Sequence, residues 1–269
     1  MVNRIYIKYQ ITLLSAFFFL TIAVFPLQAA HAGEFPFSPG EKLVYEGTWL
    51  GISAGRVEAN VDEVYIDGIK LIRFSLHAYT TGVMNTFWTA DDHFDSYWNP
   101  QKRLPRRLEV IIRESNTKKD KTIDFFHGTK TAIVKINERD PVEKELNPAA
   151  QDFFSSGYFI RMQNLIVRQN ITFPIFEDNK NYDARIEVIK KERISILGGE
   201  VDTIMIKPIL KLEGAMQKRG QLWVWLTDDE QRVPAKLRLK MFFGSIYLKL
   251  IEAKGVNLKI ILPKAKKKK

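Results

Sequence analysis

The chain contains no cysteine in 269 residues. Disulfides are therefore excluded, and so is a lipoprotein anchor, whose acyl chains need an N-terminal cysteine. Stability has to come from burial alone. Nucleophile and nucleotide signatures are missing too: there is no Gly-x-Ser-x-Gly elbow, phosphate loop or dinucleotide glycine fingerprint. Ser115-Asn116-Thr117-Lys118 fits a Ser-x-x-Lys spacing, but the partner motifs of that enzyme class are absent, and the stretch reads as a polar hairpin. Beyond residue 32 the histidines are His77, His93 and His127, with no His-x-x-x-His pair. The polar cluster Asp91, Asp92, His93 and Asp95 has metal-ligating residue types. Alternation along a strand would scatter those side chains, so it reads as an acidic turn, as does Asp228-Asp229-Glu230. No metal, cofactor or catalytic residue is expected, and the chain reads as a non-enzyme.

No acidic residue precedes Glu34. Arg4 and Lys8 open the chain, an apolar run follows from Ile11 to Leu27, and Ala30-His31-Ala32 supplies small residues one apart. Basic head, apolar body and small-x-small site are the pattern of a secretory signal peptide, which places cleavage after Ala32 and the protein in the periplasm. An uncleaved N-terminal anchor is the alternative. The domain expectation is residues 1–32 signal, 33–263 one mainly-β domain, and 264–269 a polybasic tail.

The net charge of +10 is not spread evenly. The leader holds two of the 41 basic residues, and Lys264, Lys266, Lys267, Lys268 and Lys269 hold five more. The body is left with 34 basic against 31 acidic residues. A near-neutral body does not suit a nucleic-acid binder, which carries a basic face. The tail suits contact with an anionic membrane surface, at about 1 kcal/mol per lysine. Oligomeric state is not legible.

The body alternates apolar with polar over Val57–Asp62, Leu108–Val110, Ala184–Val188 and Lys236–Met241. Period two puts one face in and one out. Asp67-Gly68, His127-Gly128 and Gly198-Gly199 punctuate these runs as hairpin turns. The spacing predicts roughly ten to twelve strands. The segment from Ala149 to Gln169 carries Phe154, Tyr158, Met162, Leu165 and Ile166 at helical spacing behind Asn147-Pro148, and predicts one central helix. Trp88-Thr89-Ala90-Asp91-Asp92 resembles Trp225-Leu226-Thr227-Asp228-Asp229, which suggests two related halves. The expected fold is mainly β: a curved antiparallel sheet or partly open barrel with one central helix.

In Gln221–Leu226, Leu222, Val224 and Leu226 point one way and Trp223 and Trp225 the other. A strand apolar on both faces has both faces covered. Trp49, Trp88, Trp223 and Trp225 are therefore candidate lining residues of a concave apolar site; Trp98 reads as core. The expected function is a non-enzymatic binding or transport factor for a hydrophobic, lipid-like envelope component. The alternative is a structural or interaction protein of the envelope, contacting another protein or a polysaccharide.

Three segments together resemble a known family. They are Phe37-Ser38-Pro39-Gly40-Glu41-Lys42-Leu43-Val44-Tyr45 with Gly51-Ile52-Ser53-Ala54-Gly55; the helical Gln151–Arg161; and Leu222–Asp229 through Arg232-Val233-Pro234 to Phe243-Gly244-Ser245. In order and spacing they are similar to the bacterial exported domain-of-unknown-function family 3108. The resemblance implies export and a mostly antiparallel β fold, and brings no activity or catalytic residue with it.

Overall fold

The computed structural model describes residues 35–177, 179–210, 221–242 and 244–262. The leader and the lysine tail lie outside the described residues. Two antiparallel meanders make up the sheet. The first comprises β1 (Lys42–Trp49), β2 (Ile52–Ile66), β3 (Ile69–Thr80), β4 (Asp91–Asn99), β5 (Leu104–Glu114), β6 (Thr117–Phe126), β7 (Thr131–Ile136) and β8 (Val142–Glu145). The second comprises β9 (Asn170–Glu177), β10 (Lys180–Ile196), β11 (Gly199–Leu210), β12 (Gln221–Thr227), β13 (Pro234–Met241) and β14 (Gly244–Lys254). Pairing of β1 with β14 joins them into one 14-stranded sheet whose edge strands are β8 and β9. A four-residue helix, α1 (Met84–Phe87), interrupts the β3–β4 connection, and α2 (Phe153–Arg161) links the meanders.

The sheet does not close, but its two edges are tied. Gln151 bridges Ile175, with Gln151 N–H donating to the Pro174 carbonyl at 3.0 Å and Phe176 N–H donating to that of Gln151 at 2.8 Å. Asn181 donates to the Glu145 carbonyl and accepts from Asn147 N–H. These bonds use up polar groups that an open edge would offer to another chain.

The central helix is shorter than the expected Ala149–Gln169. Asp152, not Asn147, is its N-cap: the carboxylate accepts from Phe154 and Ser155 N–H, and the Ser155 hydroxyl accepts from Asp152 N–H. This reciprocal box fixes the start. The Asn147–Gln151 stretch is spent instead on tying the edges. The two Trp…Asp-Asp segments are not equivalent either. Trp88 precedes β4 and Asp91 opens it, whereas Trp225 lies inside β12 and Asp228 follows that strand. Ser115 and Asn116 do sit at the β5–β6 turn, as a hairpin reading requires.

Candidate functional site

Strict alternation gives the sheet an inner face. Leu43 and Tyr45 on β1, Val57 and Ala59 on β2, Phe74 and Leu76 on β3, and Leu222, Val224 and Leu226 on β12 all line one interior cavity of about 260 Å³. Tyr158, Gly157 and Ile160 of α2 form its opposite wall. Tyr158 stacks on Phe74 with ring centroids 3.8 Å apart, and Phe37 meets both rings edge-on.

An ion pair holds α2 in this position. Arg161 donates to both carboxylate oxygens of Glu41 at 2.6 and 2.8 Å, and both side chains are 1 % exposed. Arg161 also donates to the Gln231 and Pro36 carbonyls, so the guanidinium fork is well partnered. Burial, the largest single influence, pulls the Arg161 pKa down; the Glu41 hydrogen bonds and charge, with Tyr158 and Tyr45, together outweigh it and leave the pKa raised. Burial pushes the phenols of Tyr45 and Tyr158 up. Burial also raises the Asp152 carboxyl, against the pull of hydrogen bonds from Ser96, Ser155 and Phe154.

A second, wider cavity of about 630 Å³ shares Val57 and Leu248 with the first. The inner positions there are small: Gly47, Gly55 and Ala78 stand where Tyr45, Val57 and Leu76 stand one step along the same strands. Trp49, Met84, Phe87, Trp88, Met241 and Ile246 form its walls. Asp92 also lines it, with its carboxylate accepting from Arg113 N–H at 2.9 Å. Around this end, Leu50 (67 % exposed), Phe87 (78 %), Ile52, Val83 and Phe242 present apolar side chains to solvent.

Of the four tryptophans expected at a concave site, two line a cavity and two do not. Trp49 and Trp88 line the wide cavity. Trp223 and Trp225 do not face the interior: their β12 neighbours Leu222, Val224 and Leu226 do, so parity sends both indoles to the outer face. There the covering comes from cations. Lys207 and Arg238 lie over Trp223, Lys236 lies over Trp225, and Trp225 Nε1 donates to Glu192 at 2.7 Å. Long basic side chains cover aromatic surface with their stems and keep their heads wet. Trp98 is core, 1 % exposed. The five lysines of the tail lie outside the described residues.

The Asp91–Asp95 cluster lies in β4 and not in a turn, and alternation removes only one member from it. Asp92 turns inward, while Asp91, His93 and Asp95 point outward, Asp95 towards Arg73. The outward set gains a member from the next strand: His77, the register partner of His93, converges with Asp91 and His93. Asp228 pairs with Lys191, and the Asp229 carboxylate accepts from the N–H groups of Gln231 and Arg232 in its own turn.

A search of curated protein sequences finds no match. Among solved structures, a β-barrel-like protein of domain-of-unknown-function family DUF1849 from Brucella abortus superposes with a TM-score of 0.56 at 8 % identity. The match covers 82 % of this chain and 99 % of that one. At that identity the likeness concerns the fold: a sheet curled towards a barrel. No helix among the described residues is long and apolar enough to cross a membrane. The model of the family "Protein of unknown function (DUF3108)" matches residues 44–251, a span that runs from β1 to β14, and the chain therefore belongs to that family.

Proposed function

We propose that this protein is a non-enzymatic binding or transport factor that holds a hydrophobic, lipid-like molecule against the inner face of the sheet. The observation that carries the reading is a pair of apolar cavities, one lined by Leu226 and Tyr158 and the other by Trp49 and Trp88, that share Val57 and Leu248. The two volumes, about 260 and 630 Å³, compare with about 300–1,000 Å³ for ordinary small-molecule sites. Exposed apolar side chains at hairpin tips surround the wide end. A bilayer accepts such projecting tips without complementary pockets, so this end is the exchange surface for a ligand drawn from phospholipid. Export and residence in the periplasm accord with the leader, and the lysine tail would add attraction to anionic headgroups.

The test uses the full chain purified from expressing cells. Native mass spectrometry and organic extraction should show a co-purifying apolar molecule, and a fluorescent fatty acid should be bound and displaced. Val57→Trp should plug the junction and remove displacement while far-ultraviolet circular dichroism stays unchanged. A wild-type protein that carries no extractable molecule and binds no fluorescent fatty acid would end this reading.

A further inference from the structure

We propose that His77, Asp91 and His93 bind a divalent late first-row transition metal ion on the outer face of the sheet, beside the stem of the β3–β4 connection. His77 and His93 are directly opposed on adjacent antiparallel strands, and Asp91 lies two residues before His93, on the same face of β4. The imidazole rings stack with centroids 4.0 Å apart and planes 10° from parallel. One Asp91 oxygen lies 2.6 Å from His77 Nε2 and 3.4 Å from His93 Nε2, so both Nε2 atoms approach the same carboxylate. One donor atom from each of the three residues lies within 4.8 Å of the others.

That spacing suits an ion. Metal–nitrogen and metal–oxygen bonds of about 2.0–2.2 Å put neighbouring donors of a tetrahedral site roughly 3.4 Å apart. Side-chain adjustment would seat the ion, with the backbone held by the β3–β4 ladder. The three side chains are solvent-accessible, at 33, 65 and 46 % for His77, Asp91 and His93, so a hydrated ion can reach them. The adjoining carboxylate, Glu58, is already engaged by Lys42 at 2.9 Å and by the Tyr79 hydroxyl at 3.1 Å. The site therefore offers two imidazoles and one carboxylate, with the remaining positions left to water. Imidazole-rich sets favour copper(II), nickel(II) and zinc(II) over calcium and magnesium, and the Irving–Williams order makes copper(II) the tightest. The inference is independent of any ligand in the interior, which lies on the other face of the sheet.

The experiment titrates the metal-free full chain with copper(II) chloride and zinc(II) chloride by isothermal calorimetry, with electron paramagnetic resonance of the copper form. One ion per chain and superhyperfine coupling to two imidazole nitrogens are expected. His77→Gln and His93→Gln should each weaken binding by more than about tenfold, the least that loss of even an outer-shell partner costs, and each should remove one nitrogen from the spectrum. Asp91→Asn should weaken binding and leave both nitrogens. His127→Gln should change neither readout. All three site substitutions lie on a wet face, and unchanged circular dichroism verifies the fold. Bound metal should raise the melting temperature of the wild type, and less so that of the site variants. Wild-type protein that gives no heat and no altered spectrum with either ion overturns the proposal. So does binding that survives unchanged in His77→Gln and His93→Gln.

Discussion

The two ends of the interior are built on the same strands and differ in side-chain volume. At one end the inner positions carry Leu43, Tyr45, Val61 and Phe74, and α2 presses Tyr158 against them beneath the Arg161–Glu41 pair. At the other end the inner positions of β1, β2 and β3 fall to Gly47, Gly55 and Ala78, and nothing from α2 reaches the walls. Gly55 is also constrained by the sheet itself, since a Cβ there would collide with the Tyr79 carbonyl oxygen. One alternating pattern thus gives a packed half and a hollow half. Stability should reside in the first and binding capacity in the second.

The sharpest way to break this comparison is to unpair the buried charge. Removing one partner of a buried ion pair leaves the other uncompensated in low dielectric and costs about 3–5 kcal/mol. Arg161→Met should lose that much in urea unfolding. Glu41→Gln with Arg161→Met should lose less than the two single losses added together. Phe74→Ala, in the same packed half, should cost about 3–5 kcal/mol. A loss below 1 kcal/mol for both Arg161→Met and Phe74→Ala would show that the packed end does not hold the fold.

At the junction the two properties should separate. Val57 faces both cavities, so Val57→Trp overfills one and blocks the other. Overpacking costs about 1–3 kcal/mol, while uptake of a fluorescent fatty acid should be abolished. Leu226→Ala, deep in the narrow cavity, should show the reverse: a loss of about 2–5 kcal/mol with uptake retained. If both variants moved stability and uptake together, the interior would be a single unit and the contrast would fail.

How much of this was legible in the sequence follows from which interactions are local. Period-two alternation is local, and it correctly separated Leu222, Val224 and Leu226 from Trp223 and Trp225. Which of the two faces is concave depends on the curl of fourteen strands, and that is not written in any one of them. Two adjacent indoles suggest a face covered by other apolar groups, whereas here Lys207, Lys236 and Arg238 cover them from neighbouring strands. Both Asn147-Pro148 and Asp152-x-x-Ser155 are capping signals, and tertiary demand for edge ties decides between them. The convergence of His77 with Asp91 and His93 depends on register across a connection that contains α1. Had that connection been a two-residue turn, counting outwards from it would have paired the histidines. The Glu41–Arg161 pair spans 120 residues and left no local trace.

At the hollow end the stability effects should be slight. Phe87→Ser and Phe242→Ser replace exposed side chains outside the packed half, so each should change unfolding free energy by no more than about 0.5 kcal/mol. Both should weaken co-sedimentation with phosphatidylglycerol vesicles. Deleting Lys264 to Lys269 should likewise leave the melting temperature nearly unchanged and weaken the same binding, most clearly at low salt, where exposed charges are least screened. Salt-resistant binding lost only with the two phenylalanines would assign the contact to the apolar rim. Binding unchanged in all three variants would remove the rim and the tail from membrane contact.

The smallest expected effect lies in the β6–β7 turn, beyond the packed half. His127 Nε2 is 2.9 Å from the Pro105 carbonyl, which can only accept, so the proton sits on Nε2. The buried Nδ1 has no partner, and a second proton there would meet no acceptor. Burial, reinforced by nearby Lys102, lowers the His127 pKa from 6.5, against the pull of the Pro105 hydrogen bond. Between the lowered folded value and 6.5, the unfolded chain binds more protons than the folded one, so stability rises with pH across that window. The contribution is fully present above pH 6.5 and is lost as pH falls through the window towards the folded value. Urea midpoints of wild type and His127→Gln, compared from pH 7.5 down to pH 5, should therefore draw together on acidification, because only the wild type loses this increment. Subtraction cancels the titration of the other histidines and the carboxylates, which both proteins share. Parallel profiles would mean that His127 is as free to take a proton in the fold as in the unfolded chain, and that the turn is wetter than its buried Nδ1 implies.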